Sequence, residues 1–260
     1  MSGVQPKKKL GQHFLKDKGI AARIASSLTG KGYDSVLEIG PGKGILTDFL
    51  MKRNFPDFRV IEIDHESVNY LHQHLPDLKN ILSGDFLEMD LNHYFPGSMA
   101  ITGNFPYNIS AQILFKVLYQ RDKVIEVTGM LQKEVAERIC SGPGSKVYGI
   151  LSVLLQAFYD TEYLFTVPEH VFMPPPKVKS GVIRLRRNDV KKLDCDESLF
   201  FRVVKACFNQ RRKTLKNSVK SAFILTDYDY PELGLRPEQL TVDQFINLTK
   251  WIDSHRSISE

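Results

Sequence analysis

The sequence predicts an α/β fold: a doubly wound, mostly parallel sheet with helices on both faces, followed by a small all-helical domain. Short apolar runs typical of buried strands alternate with amphipathic stretches over residues 17–187. A glycine-rich turn follows the first of these runs. Residues 196–255 contain helical stretches and no convincing strand. We therefore predict two domains, residues 1–187 and residues 188–260.

The individual elements are assigned from hydrophobic periodicity and from the residues that end each run. Runs rich in valine, isoleucine and leucine, bounded by glycine or polar residues, predict strands over 35–39, 59–64, 80–83, 99–102, 124–131, 163–167 and 178–185. Amphipathic or longer apolar stretches predict helices over 17–28, 45–53, 65–75, 109–119, 133–140, 149–158, 199–212 and 242–253. Pro76 ends the third of these helices, because proline cannot continue a helix.

Positive charge is concentrated in two regions. Residues 188–220 carry nine lysines and arginines against four acids, and residues 1–18 carry five lysines against one acid. Clustered cations suit a polyanionic partner, because each phosphate contact releases counterions. The alternative is an ordinary solvated charged face. We expect residues 1–16 to be a basic N-terminal segment and residues 188–260 to bind RNA.

Other features of the composition indicate a cytoplasmic protein. No run approaches the roughly 18 apolar residues of a membrane span, so no membrane partner is expected. The lysines near the N-terminus are not followed by the apolar stretch of a secretory signal. The three cysteines are far apart and form no CxxC pair, which favours reduced thiols over disulfides or a zinc site.

A nucleotide-type cofactor site is predicted where three strands end. Gly40 and Gly42 lie in the turn after the first strand, where missing side chains let backbone approach a ligand. Glu62 ends the second strand and can accept hydrogen bonds from ribose hydroxyls. Asp85 follows the third strand and can accept an adenine amino proton. Together with Glu38, these acids would repel a pyrophosphate and favour a cationic sulfonium, as in S-adenosylmethionine.

A target-base site is predicted after the fourth strand, at Asn104-Phe105-Pro106-Tyr107. An exocyclic adenine amine is a poor nucleophile, because its lone pair is delocalised into the ring. The Asn104 oxygen and a backbone carbonyl near Pro106, which lacks an N–H, can accept its two protons. Tyr107 offers a flat face for stacking an extruded base, worth about 1–3 kcal/mol. Methyl transfer by such a site relies on positioning, and no metal is expected.

A second aromatic residue, Phe172, precedes three prolines that stiffen the following loop. We expect Phe172 to hold the target base from the side opposite Tyr107, which would make Asn104, Pro106, Tyr107 and Phe172 the catalytic set. The alternative is that Phe172 is a hydrophobic plug between the last two strands. Lys177 in the same loop is expected to contact phosphate.

These motifs resemble those of the ribosomal RNA adenine N6-dimethyltransferases, in particular the bacterial small-subunit type. The matching stretches are GQHFL (11–15), LEIGPGKGILT (37–47), VIEID (60–64), GDFL (84–87), NFPYNIS (104–110), FMPPPKVKS (172–180) and FNQRRKTLKNS (208–218). They follow the family's order over almost the whole chain. The resemblance implies a Rossmann-like class I methyltransferase sheet and S-adenosylmethionine as cofactor. It also implies dimethylation of two adjacent adenosines near the 3′ end of small-subunit rRNA, within an immature subunit.

The resemblance also implies roles for individual residues. It adds His13 and Leu15 to the cofactor-binding set of Gly40, Glu62, Asp85 and Asn104. In the helical domain, the segment that resembles the small-subunit type is expected to grip the rRNA backbone through Arg211, Arg212, Lys213 and Lys216.

The chain departs from the family at two positions. His13 stands where many members have asparagine, and which of its ring nitrogens would meet the cofactor stays open. Phe105 stands where leucine is common, and we expect its side chain to matter little.

Three other functions are weighed against this one. The first is a large-subunit rRNA adenine dimethylase, which would share the cofactor motifs and the tetrapeptide. The second is a ribosome-assembly factor without essential methyl transfer, which the presence of Glu62, Asp85 and Asn104 disfavours. The third is an NAD-dependent dehydrogenase, for which no hydride-transfer constellation is present. A monomer is the default expectation.

Overall fold

The structure, a computed structural model, describes residues 4–210 and 212–256. Its strands are β1 (Phe14–Leu15), β2 (Ser35–Ile39), β3 (Asp57–Glu62), β4 (Ile81–Ser83), β5 (Met99–Asn104), β6 (Val124–Gln132), β7 (Tyr159–Val167), β8 (Phe172–Met173) and β9 (Ser180–Arg187). Its α-helices are α1 (Lys18–Ser27), α2 (Ile45–Met51), α3 (His65–His74), α4 (Leu91–Tyr94), α5 (Ser110–Tyr119), α6 (Lys133–Cys140), α7 (Ile150–Gln156), α8 (Glu197–Asn209), α9 (Leu215–Ala222) and α10 (Val242–His255). None of the helices in these ranges has the length and hydropathy of a membrane span.

A seven-stranded sheet in the order β4-β3-β2-β5-β6-β9-β7 confirms the predicted α/β class. The pairs β4–β3, β3–β2, β2–β5 and β5–β6 are parallel, and β6–β9 is antiparallel. After β2 the chain builds outward through β3 and β4, and then returns to place β5 on the other side of β2. Ligands of such sheets bind where the strand order reverses, beyond the carboxyl ends of the strands. That position lies between β2 and β5.

Glycines set how closely the strands pack near this reversal. Gly103 in β5 lies against β2, where an added Cβ would stand 2.5 Å from the backbone oxygen of Ile39. Gly129 in β6 lies against the ring of Phe105, which is 1% exposed and occupies the space that a side chain at position 129 would need. The Phe105 ring is thus part of the packing between strands, and a small role for its side chain at the site stays a prediction.

A second, two-stranded sheet pairs β1 with β8 in antiparallel register, with Phe14 opposite Met173 and Leu15 opposite Phe172. The sequence does not predict either strand, since two residues are too few to show a period. This pairing joins the basic N-terminal segment to the proline-rich loop. Two regions of the chain that are far apart in sequence are thus brought together.

The chain divides into two compact units that differ from the predicted domains in one segment. The first comprises residues 1–136 and 161–187, and the second comprises residues 137–160 and 188–260. The sequence pattern assigns residues 137–160 to the sheet domain, and this assignment is wrong. Their helix α7 buries five consecutive residues and packs against α8 and α10 of the second unit. A helix that is apolar on all sides needs partners on more than one side, and these helices supply them.

The second unit is helical, as predicted. Two of its helices begin at side-chain caps: Asp196 accepts from Leu199 N at 2.9 Å before α8, and Thr241 accepts from Gln244 N at 3.2 Å before α10. The rings of Phe208 and Phe245 lie 5.8 Å apart in its core.

Candidate active site

A cavity of about 260 Å³ lies in the first unit at the reversal point of the sheet. Its walls come from the ends of β2, β3, β4 and β5 and from the N-terminal segment. Eight of the residues predicted for the site line it: His13, Gly40, Gly42, Glu62, Asp85, Asn104, Pro106 and Tyr107. The structure therefore brings together most of the predicted cofactor and target-base residues.

The turn after β2 borders the cavity with backbone that carries no side chain at Gly40. Gly40 has a φ of 66°, and a Cβ added there would have no atom within 4 Å. Any side chain at this position would stand in the space that a ligand would occupy. The Gly40 N–H donates to Ile61 O at 2.9 Å, which holds the turn against β3. This arrangement suits a ligand that contacts backbone directly.

Glu62 is a rigidly held carboxylate at the end of β3. It is 4% exposed, and it accepts hydrogen bonds from Gly42 N at 3.0 Å and from Asp64 N at 2.9 Å. Burial raises the pKa of Glu62 above its ordinary value, although these hydrogen bonds act to lower it. Each oxygen keeps a lone pair beyond its backbone bond, so the group can still accept from ligand hydroxyls.

The loop after β4 supplies a polar and an apolar wall. Asp85 accepts from Leu87 N at 2.8 Å through one oxygen, Oδ1, which leaves Oδ2 for a ligand. Ile63, on the neighbouring strand end, is 45% exposed although its side chain is apolar. Phe86 is 3% exposed and offers little surface. Of these two side chains, Ile63 is therefore the one that offers apolar surface to a ligand ring.

Asn104 ends β5 with its side chain held by the N-terminal segment. Its Nδ2 donates to the carbonyl oxygen of His13 at 2.8 Å. The amide nitrogen is thereby engaged with protein, and the amide oxygen is the atom left to accept a hydrogen bond from a substrate.

Tyr107 is held at both its hydroxyl and its ring. The hydroxyl lies 2.6 Å from Ser180 Oγ, and the ring centroid lies 5.7 Å from that of His13 with the planes inclined by 30°. Burial raises the pKa of Tyr107, so the phenol stays neutral. His13 Nδ1 lies 2.8 Å from Pro174 O. A carbonyl only accepts, so Nδ1 carries the hydrogen and Nε2 is the nitrogen left for a ligand.

Two predicted site residues are buried instead of lining the cavity. Phe172 is 1% exposed and packs in the hydrophobic core with Leu15, its partner in the two-stranded sheet. In this structure its ring packs as the alternative of a hydrophobic plug describes, and the expectation that it holds the base opposite Tyr107 stays a prediction. Leu15 is 7% exposed and borders a pocket of about 30 Å³ beside the main cavity. Alternation along β8 turns Phe172 inward and Met173 outward.

The small pocket also contains Glu38, which is 1% exposed. Its Oε2 has no hydrogen-bond partner among the described residues. Burial raises the pKa of Glu38 to about 8. A buried acid without a partner for one oxygen suits a cationic group placed beside it.

Sequence reasoning missed the residues that hold the N-terminal wall. Asp64 is 3% exposed and accepts from Lys7 Nζ at 2.6 Å and from Gln12 Nε2 at 3.1 Å. Burial acts to raise the pKa of Asp64, but these hydrogen bonds outweigh it and hold the pKa below its ordinary value. Asp64 follows Glu62 in the recognised VIEID motif, but nothing in the sequence indicates its partners.

The residues predicted to bind RNA are exposed. Lys177 lies on the proline-rich loop of the first unit. In the second unit, Arg212 and Lys213 precede α9 and Lys216 lies in its first turn. Arg211 lies outside the described residues.

Comparison with known proteins places the chain in a family. The family model described as ribosomal RNA adenine dimethylase matches residues 3–254. A protein of Parabacteroides distasonis named ribosomal RNA small subunit methyltransferase A is 58% identical over 255 residues, covering 97% of this chain and 96% of the relative. A protein of Cytophaga hutchinsonii with the same name is 57% identical, covering 97% of this chain and 99% of the relative.

Solved structures agree with this placement. A dimethyladenosine transferase from Plasmodium falciparum is similar at a TM-score of 0.74 and 25% identity, covering 91% of this chain and 96% of that one. The 23S rRNA methyltransferase ErmE is similar at a TM-score of 0.67 and 26% identity, covering 92% and 99%. The family model spans nearly the whole chain, and relatives are more than half identical over it, so this chain belongs to the ribosomal RNA adenine dimethylase family.

Proposed function

We propose that this protein transfers methyl groups from S-adenosylmethionine to the N6 amino group of two adjacent adenosines near the 3′ end of small-subunit rRNA. The observation that carries the proposal is the Asn104 amide, whose nitrogen is bound to His13 O at 2.8 Å and whose oxygen is left as an acceptor in the cavity. Relatives at more than half identity bear a small-subunit rRNA methyltransferase name, which supports this substrate.

The cavity fits the cofactor group by group. Glu62 would accept from the ribose hydroxyls, Asp85 would accept from the adenine amine, and Ile63 would pack against the adenine ring. Gly40 has no side chain, so its turn would let the ligand approach the backbone. The cofactor supplies an electrophilic methyl group on a sulfonium. The acids around the cavity would repel a pyrophosphate, which argues against a nicotinamide cofactor.

The chain's own residues prepare the target amine. Asn104 Oδ1 and a backbone carbonyl of the Phe105–Pro106 turn accept its two protons, which draws the lone pair out of the ring. Tyr107 stacks on the extruded base, and Ser180 and His13 fix the angle of that ring. These groups act by positioning, which can supply a large part of the rate enhancement. The proton leaves the methylated nitrogen to solvent, and no residue is assigned as its base.

The partner is proposed to be an immature small subunit in the cytoplasm, bound by a monomer without a metal. The exposed basic residues Arg212, Lys213 and Lys216 would contact rRNA phosphates from the second unit, and Lys177 from the first. Phosphate contacts of this kind predict affinity that falls as salt rises. Methylation and subunit assembly would then be linked.

The experiment is methyl transfer from labelled S-adenosylmethionine to small subunits that lack the modification, with mapping of the labelled adenosines. We expect two adjacent dimethylated adenosines, and we expect Asn104→Ala to slow labelling by about 100-fold or more. The similarity to ErmE makes naked large-subunit rRNA the informative second substrate. Label entering that RNA and not small subunits would replace the proposal with a large-subunit dimethylase.

A further inference from the structure

The ammonium group of Lys116 binds several backbone carbonyls of the loop after β4, which lines the cavity where the adenine would bind. Lys116 Nζ lies 2.7 Å from Phe86 O, 2.8 Å from Leu87 O and 2.5 Å from Met89 O. An ammonium has three hydrogens, so all its donors are used on this single loop. Lysines at helix ends usually reach solvent or the carbonyls of their own helix, whereas Lys116, in the last turn of α5, reaches across to the loop after β4.

The loop that Lys116 holds includes residues that line the cavity. Asp85, Phe86 and Leu87 all contribute to its wall. Glu88 N and Met89 N both donate to Asp85 O at 3.2 Å, so the segment forms a single tight turn whose carbonyls converge on the ammonium. The ammonium also lies 5.0 Å from the centre of the Phe86 ring. The side chain therefore holds the backbone on which Asp85 is mounted.

We propose that Lys116 is a positioning residue for the adenine end of the cofactor site. It touches no substrate atom and acts through Asp85, the group that would meet the adenine amine, by keeping the 85–89 turn in one shape. Lys116 also lies on α5, the helix that begins three residues after Tyr107. The same side chain thus joins the target-base loop and its helix to the cofactor loop. This inference rests on the proposed binding of S-adenosylmethionine in the cavity.

The charged partners of Lys116 are consistent with this role. Burial lowers the pKa of Lys116, while the nearby carboxylates of Glu88, Asp85 and Asp90 act to raise it. Replacing the ammonium with a neutral group would leave three carbonyl oxygens without their donor and would remove the positive charge beside Asp85. The 85–89 turn would then sample other conformations. Ligand affinity would fall, because part of the binding free energy would be spent on restoring the binding-competent conformation.

The test compares Lys116→Met with Lys123→Met. Methionine keeps the apolar stem of lysine and removes its three donors. Lys123 Nζ also donates to a backbone carbonyl, that of Phe95, but neither residue lines the cavity, so this variant controls for loss of a lysine–carbonyl bond. Affinities are measured by calorimetry for S-adenosylhomocysteine and for 5′-methylthioadenosine, which keeps the adenosine and lacks the amino-acid tail. Turnover is measured at saturating S-adenosylmethionine.

For Lys116→Met we expect both dissociation constants to rise about tenfold or more, with turnover at saturation within about twofold of wild type. Lys116→Arg should recover part of the affinity, because arginine restores the positive charge and the hydrogen-bond donors. If Lys116→Met does not fold, Lys116→Arg is the variant to compare with wild type. Lys123→Met should leave both constants unchanged. Unchanged constants in both Lys116 variants would overturn the positioning role, even if their thermal stability fell. If wild type binds neither ligand, the proposed cofactor fails and this inference fails with it.

Discussion

The 2.8 Å hydrogen bond from Asn104 Nδ2 to the carbonyl of His13 decides which atom of the Asn104 amide is left for a substrate. It also ties the target-base strand to the N-terminal segment, which is held in turn by Asp64 through Lys7 and Gln12. The acceptor that the chemistry needs is thus oriented by a part of the chain that is distant in sequence.

Asn104→Ala and Asn104→Asp should separate the two functions of this amide. The alanine variant loses the acceptor, and we expect its single-turnover methylation rate to fall by about 100-fold or more, as for the loss of a preorganised polar group at a reacting centre. The aspartate variant keeps acceptor oxygens but places a carboxylate against the His13 carbonyl. We expect an intermediate rate. Equal rates for both variants would mean that acceptance by the oxygen is not the contribution of Asn104.

The pair Tyr107 and Ser180 should show coupling in a double-mutant cycle. Ser180 is 0% exposed, so Tyr107→Phe and Ser180→Ala each leave a hydroxyl without its partner, while the double variant leaves neither. We expect the double variant to be no slower in single-turnover assays than the slower single variant, with a coupling energy of about 1 kcal/mol. Tyr107→Ala, which removes the stacking face, should be slower than all of them. Additive losses would contradict the positioning role of this hydrogen bond.

Phe172 should behave as a core residue. Truncation to alanine removes a ring that is 1% exposed, and we expect the free energy of unfolding to fall by about 3–5 kcal/mol. Phe172→Leu should cost much less and should retain most of the methylation rate. Urea unfolding and initial-rate assays on the same preparations check both statements. A leucine variant that is stable but inactive would restore the role of base clamp.

Glu38 should make stability depend on pH. Its pKa rises from an ordinary 4.5 to about 8 on folding, so the folded state binds more protons than the unfolded state between these values. Its contribution is full below about pH 4.5 and is lost as pH rises towards about 8. The glutamine of Glu38→Gln cannot ionise, so the variant does not lose this contribution to stability as pH rises.

The check is urea unfolding of both proteins at several pH values across that window. The variant should gain on wild type by at least about 1 kcal/mol between the two ends, because one pKa unit corresponds to about 1.4 kcal/mol. Parallel stability profiles would show that Glu38 ionises in the folded protein as readily as in the unfolded chain.

Glu62→Ala should abolish methylation while leaving binding to small subunits largely intact. The variant loses the acceptor for the ribose hydroxyls, and it also leaves Gly42 N and Asp64 N without their acceptor. Loss of S-adenosylhomocysteine binding by calorimetry, with retained co-sedimentation with small subunits, is the expected pair of results. Equal loss of both would show that the RNA and cofactor surfaces overlap.

Much of the fold and site follows from local pattern. The strands of the parallel sheet are apolar runs, and their carboxyl ends meet at one edge, so the sequence alone is enough to place Gly40, Glu62, Asp85 and Asn104 together. The family resemblance is carried by the same motifs and is confirmed. The periodicity of a strand and the position of a turn depend on neighbouring residues, so they can be predicted from a short stretch of sequence.

Only the tertiary structure decided the contacts between distant segments. Two-residue strands have no readable period, so the sequence does not indicate the pairing that buries Phe172 against Leu15. The placement of residues 137–160 with the helical unit depends on which surface α7 can bury itself against. The three bonds of Lys116 depend on the spacing of a helix and a loop. The sequence shows which groups can form hydrogen bonds or be buried. Which of them contact each other depends on long-range packing, because burial and hydrogen bonding involve segments from the whole chain.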